Sequence, residues 1–161
     1  MINDKLTKEL QNQISNNKNK IDELSDLKYI LATTTTATAN FTKITLNSVV
    51  LQKGNFTLSN GNIVIPSGVS LVRVSGGIMG DTTNKTTRYL WGEIRHNNTL
   101  VSSHMSPVNG DDYIGCSMPP TIVEVQEGDT ISLTASNSAG VKNRTGRSNV
   151  WVFVEKINNV I

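Results

Sequence analysis

Apolar residues recur at helical spacing through residues 1–31 and at strand spacing from residue 41 onward. The first stretch holds no Gly or Pro and is rich in Lys, Glu, Leu and Gln, which favour helix. A seven-residue frame places Thr7, Ile14, Ile21 and Lys28 at position a, and Asn3, Leu10, Asn17, Leu24 and Leu31 at position d. Leu6 and Leu27 fall at g, beside polar a residues, and widen the seam there. Such a helix is about 45 Å long and marginal on its own. Its apolar seam is narrow and its other faces are polar, which predicts a coiled-coil stalk joining copies of the chain. The alternative is a single amphipathic helix lying on the rest of the chain, which a seam this narrow fits less well. The expected trimerisation seam is Leu10, Ile14, Asn17, Ile21, Leu24 and Leu31. Ile at a with Leu at d leans toward dimers, so the coil by itself leaves the number of chains open.

Residues 32–40, ATTTTATAN, read as a Thr-rich linker in which β-branched side chains end the helix. Residues 41–161 then follow a period of two. Ile44 and Leu46 alternate, and Val49–Leu51 is apolar. Phe56 to Ile65 spans a hairpin about Asn60-Gly61, and Val69–Met79 follows as a strand. Arg88–His96 sets Tyr89, Trp91 and Glu93 opposite Leu90 and Ile94. Thr99–Met105 follows the Asn97-Asn98 turn. Residues 106–120, rich in Pro, Gly and Asp, read as a long loop. Thr121–Val125 and Thr130–Ala135 form a hairpin about Glu127-Gly128. Residues 136–148 read as a polar loop, and Val150–Ile157 closes the series. Eight or nine short strands with frequent turns predict a mainly β sandwich or jelly roll.

Several of these runs resemble the globular heads of complement component one subunit q, which share a trimeric jelly roll with the tumour necrosis factor family. The run from Phe56 through Pro66 and Gly68 to Leu71 resembles one signature of those heads. Gly92–Val101 is similar to their strand, turn and strand. Val123-Glu-Val-Gln-Glu-Gly128-Asp129-Thr-Ile-Ser-Leu133 is similar to the most specific one, L-x-x-G-D-x-V-x-L. Trp151–Val154 stands where the closing strand would be. Val69-Ser-Leu71 lacks the family's aromatic pair, and Ser148-Asn-Val lacks the Phe and Gly of the closing strand. The resemblance implies three heads packed about an axis, and so a homotrimer. Ile14-x-x-Asn17 resembles the Ile-x-x-Asn layers of trimeric phage fibres and adhesins, where inward amides hold an anion. Asn17 is thus a possible anion layer, or a polar layer that only fixes register. A short coil carrying a jelly-roll head resembles bacteriophage head fibres, decoration proteins and tail-fibre tips.

Composition fits a structural subunit. Only 37% of the 161 residues are apolar and 5% aromatic, a lean core to which contacts between chains would add. The net charge is +2 and forms no basic stripe, which points away from nucleic acid. No run of about 20 apolar residues exists to span a membrane. The start has no secretory pattern, so assembly in a cytoplasm is expected, and the resemblance to phage fibres implies a host cytoplasm and residence on a virion surface. Catalysis would need Cys116 or Ser102 beside His104 and Asp111 or Asp112, and no motif fixes that geometry. Asp111-Asp112 could offer oxygens to calcium, although such a pair more often only makes a turn. Gly76-Gly77-x-x-Gly80 precedes no helix and reads as a bulge or a close strand approach. Candidate receptor contacts are Tyr113, which could stack on a sugar, and Arg144 and Arg147, which could meet an acidic polymer.

The expectation is a non-enzymatic virion fibre or decoration subunit. Its N-terminus would bind a capsid or tail protein, and its head would aid attachment to a host surface. The alternatives are a tail-fibre tip that recognises host glycans, or a bacterial surface or spore-coat protein of the same architecture.

Overall fold

A computed structural model describes residues 2–37, 43–82, 88–108, 113–137 and 141–157. Helix α1 (Ile2–Ser25) leads after three residues into twelve strands. They are β1 (Tyr29–Thr33), β2 (Lys43–Ile44), β3 (Ser48–Lys53), β4 (Thr57–Ser59), β5 (Asn62–Val64) and β6 (Leu71–Thr82). After them come β7 (Arg88–His96), β8 (Thr99–Val108), β9 (Tyr113–Glu124), β10 (Thr130–Asn137), β11 (Val141–Asn143) and β12 (Val150–Lys156). In the first sheet β3, β1, β12 and β6 lie side by side. Strands β9 and β11 also pair with β6. The second sheet runs β4–β5–β10–β7–β8, with β2 also beside β10. Every pairing is antiparallel, and the two sheets form a jelly-roll sandwich.

The core forms because each strand sends alternate side chains between the sheets. Ile30, Val72, Val74, Val150, Val152 and Val154 of the first sheet meet Ile63, Leu90, Ile94, Ile131 and Leu133 of the second, all fully buried. Phe56 is the single aromatic residue of this core among the described residues. Gly92 faces inward on β7. A Cβ there would lie 2.5 Å from Met118 Sδ and 2.7 Å from Cys116 Sγ, so only Gly lets the sheets approach this closely.

Several expectations are corrected. The hairpin expected about Glu127-Gly128 does not form: β9 pairs with β6 and β10 with β7, so this turn carries the chain from one sheet to the other. The stalk does not reach residue 31. Tyr29 to Thr33 alternates in and out, and burial of Ile30 and Ala32 in the core outweighs continuation of the heptad. Leu31 is therefore a strand residue opposite Phe153 and Leu51, not a rung of the coil. The stretch 32–40 is not a free linker where it is described. Ala32 and Thr33 belong to β1, and Thr34 is buried. The Thr35 amide donates to Asn47 Oδ1 at 2.8 Å. Residues 38–40 lie outside the described residues. Finally, the expected loop 106–120 is mostly strand. Pro119 and Pro120 fit because they form a bulge in β9: between Val74 and Gly76 the register sets both of them opposite Ser75 alone. The expected loop 136–148 likewise contains the end of β10 and β11.

The Gly128-Asp129 motif clamps two turns together. Gly128 has φ +85°, which suits glycine. The nearly buried Asp129 carboxylate accepts from Asn97 Nδ2 at 2.7 Å and from the Gln126 amide at 2.9 Å, and it meets His96 Nε2 at 2.7 Å. Burial alone would raise its pKa. The hydrogen bonds from Asn97, Gln126 and His96 outweigh burial and hold it below the ordinary value of 3.8.

Two outcomes follow from this packing. Gly92→Ala lowers stability by about 1–3 kcal/mol in urea denaturation, because Met118 and Cys116 must move. Asp129→Asn lowers stability by about 1–2 kcal/mol at neutral pH. A carboxyl with a lowered folded pKa stabilises above its unfolded pKa and loses that contribution as pH falls through the folded value. The gap between Asp129→Asn and the parent chain therefore narrows below about pH 4 in the same denaturation series.

Candidate functional site

The pairing register fixes which end of the head is which. Helix α1 joins at Tyr29, which lies beside Glu155, and Glu155 lies beside Arg73. From that level β6 runs eight residues onward to Asp81, about 26 Å at a strand's rise. Asp81 pairs with Tyr113 of β9, and Gly80 pairs with Asn143 of β11. The end of the head remote from the helix is thus built from Asp81, Tyr113, Asn143 and Arg144.

Two of the three candidate receptor contacts meet there. Arg144 Nε donates to Asp81 Oδ1 at 2.6 Å, and its guanidinium carbon lies 4.2 Å from the centre of the Tyr113 ring. The Asp81 carboxylate holds the Arg144 pKa above its already high value. Tyr113 stays 56% exposed, so its ring presents an open face at the tip. Beside it a groove of about 340 Å³ is lined by Ala37, Asp81, Asn143, Arg144, Thr145 and Asn149. Asp81 was not legible as a partner, because it is 63 residues from Arg144 and only the sheet brings them together. Arg147 does not join this cluster. It lies on the outward face of the first sheet, over a groove shared with Leu31, Ser75, Trp151 and Phe153.

That outward face carries an apolar patch, edged by Arg147 and by the Arg73–Glu155 ion pair. Tyr29 and Phe153 pack with ring centres 6.2 Å apart. Leu31 and Trp151 are only half-buried beside them, and Leu51 is 54% exposed. Gly77 lets the indole of Trp151 lie on the sheet, where a Cβ would approach its Nε1 to 2.6 Å. The close approach expected of the glycine run is thus present, while the bulge beside it belongs to Pro119 and Pro120 of β9. Helix α1 carries a matching stripe. Leu6, Leu10, Ile14 and Ile21 are each more than half exposed, and Asn17 is exposed among them. The Leu24 side chain lies outside the described residues. Between stripe and face stand only residues 26–28, held to the head by the Asp26–Lys156 ion pair and by the Lys156 amide donating to the Lys28 carbonyl at 2.8 Å. The Lys156 hydrogen bond lowers the Asp26 pKa.

The residues considered for catalysis are committed elsewhere. The Ser102 hydroxyl donates to the Pro119 carbonyl at 2.8 Å. Burial pushes the Cys116 thiol up to about 11. Among the described residues no three His, Cys, Asp or Glu side chains gather as metal ligands, and no helix is long and apolar enough to cross a membrane. The calcium candidates Asp111 and Asp112 lie outside the described residues. Because the thiolate is scarce near neutral pH, Cys116 resists iodoacetamide in the native protein and reacts fully only after unfolding, as mass spectrometry would show.

No protein-family model matches the sequence, and no curated protein does. Among solved structures, the crystal structure of murine APRIL at pH 5.0 superposes with a TM-score of 0.65 at 11% identity, covering 82% of this chain and all of that one. Murine APRIL at pH 8.0 gives a TM-score of 0.63 at 10% identity, again over 82% of this chain and all of that one. The structure of Eiger TNF from S. frugiperda gives 0.58 at 9% identity, over 84% of this chain and 94% of that chain. At this level of identity the likeness is one of fold: the head has the tumour necrosis factor-like jelly roll.

Proposed function

We propose that the chain is a non-enzymatic structural subunit that forms a homotrimer, with three helices twisted into a stalk and three jelly-roll heads sharing the outward face of the first sheet. The observation that carries this reading is the unburied apolar surface on both the helix and the outward face of the first sheet. A tethered three-residue junction joins α1 and its stripe to the sheet that holds Tyr29, Leu31, Leu51, Trp151 and Phe153. A lone chain leaves all of this in water. Each large apolar side chain that a neighbour buries contributes roughly 2 kcal/mol. The fold supports a count of three, because the jelly-roll families that the sequence resembles assemble in threes. Asn17 would then point toward the axis as a polar layer that fixes register or holds an anion.

Within that reading the subunit is a virion fibre or decoration protein of a bacteriophage. Its N-terminal stalk engages a capsid or tail protein, and its head projects outward. The Tyr113–Arg144–Asp81 cluster favours a second role for the same molecule. It stands at the end remote from the stalk, where a host surface glycan would be met. Three heads per stalk and many stalks per particle would convert weak contacts into lasting attachment.

Sedimentation equilibrium tests the assembly. The full chain is expected to sediment as a trimer at micromolar concentration. Ile14→Glu together with Phe153→Glu yields folded monomers, since both side chains lie outside the core. A monomeric parent chain contradicts the reading.

A further inference from the structure

The outward face of the second sheet carries a feature that neither the stalk nor the tip uses. On β7 the residues Trp91, Glu93 and Arg95 point away from the core in a row, about 7 Å apart at strand spacing. Trp91 is 39% exposed and Met105, across from it on β8, is 52% exposed. Beside this row a groove of about 470 Å³ is lined by Lys43, Glu93, Arg95, Asn98, Thr134 and Ser136. Trp91 is not itself a lining residue, but it pairs with Ser136, which is, and stands two residues before Glu93 on the same face of β7. The volume falls in the range of small-molecule sites.

The polar groups are held in place before any ligand arrives. Glu93 Oε2 accepts from Arg95 Nε at 2.8 Å and from Thr134 Oγ1 at 3.0 Å, while Arg95 Nη1 donates to the Asn98 carbonyl at 2.8 Å. Lys43 Nζ donates to the Asn60 carbonyl at 3.0 Å. Glu93 keeps a second carboxylate oxygen for acceptance, and Arg95 keeps further N–H donors. Glu93 and Arg95 neutralise each other and Lys43 adds one positive charge, so the groove accepts a neutral ligand and disfavours a cationic one. The lining sets these charged groups beside Ala135 and the aliphatic stems of the side chains, a mixed polar and apolar surface.

We infer that this groove is a carbohydrate site, with the indole of Trp91 stacking on the C–H face of a neutral pyranose whose hydroxyls bond Glu93, Arg95 and Thr134. A pyranose ring matches both halves of the surface. Its axial hydrogens present an apolar patch, and its hydroxyls both donate and accept. Aromatic stacking supplies affinity, and the fixed ion pair supplies orientation. The site lies within one head, so it stands or falls independently of the trimer.

Saturation-transfer NMR and tryptophan fluorescence on the full chain, with maltose, lactose and N,N′-diacetylchitobiose as probes, test it. At least one disaccharide is expected to bind saturably in the millimolar range. Trp91→Ala weakens that binding about tenfold or more. Glu93→Gln weakens it while leaving the stacking signal of the indole. Glu127→Gln, in a turn at the stalk end, leaves binding unchanged. Thermal melting verifies that the surface variants remain folded. Silence of all three sugars through the millimolar range overturns the inference, as does binding that survives Trp91→Ala.

Discussion

The in-and-out alternation of β1 and β12 constrains everything else in this molecule. Ile30, Ala32, Val150, Val152 and Val154 must fill the space between the sheets. Once they do, strand geometry forces Tyr29, Leu31, Trp151 and Phe153 to the opposite side. The chain therefore cannot bury its core without also creating an apolar outer face. Helix α1 ends three residues before β1, so its apolar stripe is tied closely in sequence to the strand that carries this face. In the proposed trimer both are covered together, so the stalk and the head contacts reinforce each other.

The same register sorts the surface by role. The first sheet turns its apolar side outward, toward the proposed partners. The second turns out Glu93, Arg95 and Thr134 beside Trp91, a surface suited to water and hydroxylated ligands. The turn clamp of His96, Asn97 and Asp129 ties β7, β9 and β10 at the stalk end, since the Val125 amide bonds the Ser70 carbonyl just before β6. Asp81, Arg144 and Tyr113 close the other end. Rigid turns at the base and an open aromatic ring at the tip suit a head that is fixed at one end and meets its surroundings at the other.

Much of this was legible along the chain, because it rests on local signals. Period-two alternation identified the strands around Leu90 and Ile94 and around Val150 to Val154. The Asn60-Gly61 turn marked a hairpin, and the Gly128-Asp129 run pointed to the jelly roll, although its turn passes between the two sheets and closes no hairpin. The failures share one cause, competition between local pattern and distant partners. Leu31 satisfies the heptad as well as it satisfies β1, and only the core positions of Ile30 and Ala32 decide between them. Pro119 and Pro120 argue for a loop until pairing with β6 makes them a bulge in β9. Tyr113 and Arg144 could be singled out as exposed chemistry, but their meeting over Asp81 depends on the pairing of β6 with β9 and β11. Arg147 shares their composition and not their place.

The central claim is that helix stripe and sheet face share one axis. A crystal structure of the full chain tests it most directly. The account predicts three copies related by a three-fold axis, with Ile14 and Asn17 lining it along the stalk and Phe153 against a neighbouring head. Helices folded back on their own heads, with Phe153 and Leu51 facing solvent in every copy, would contradict it.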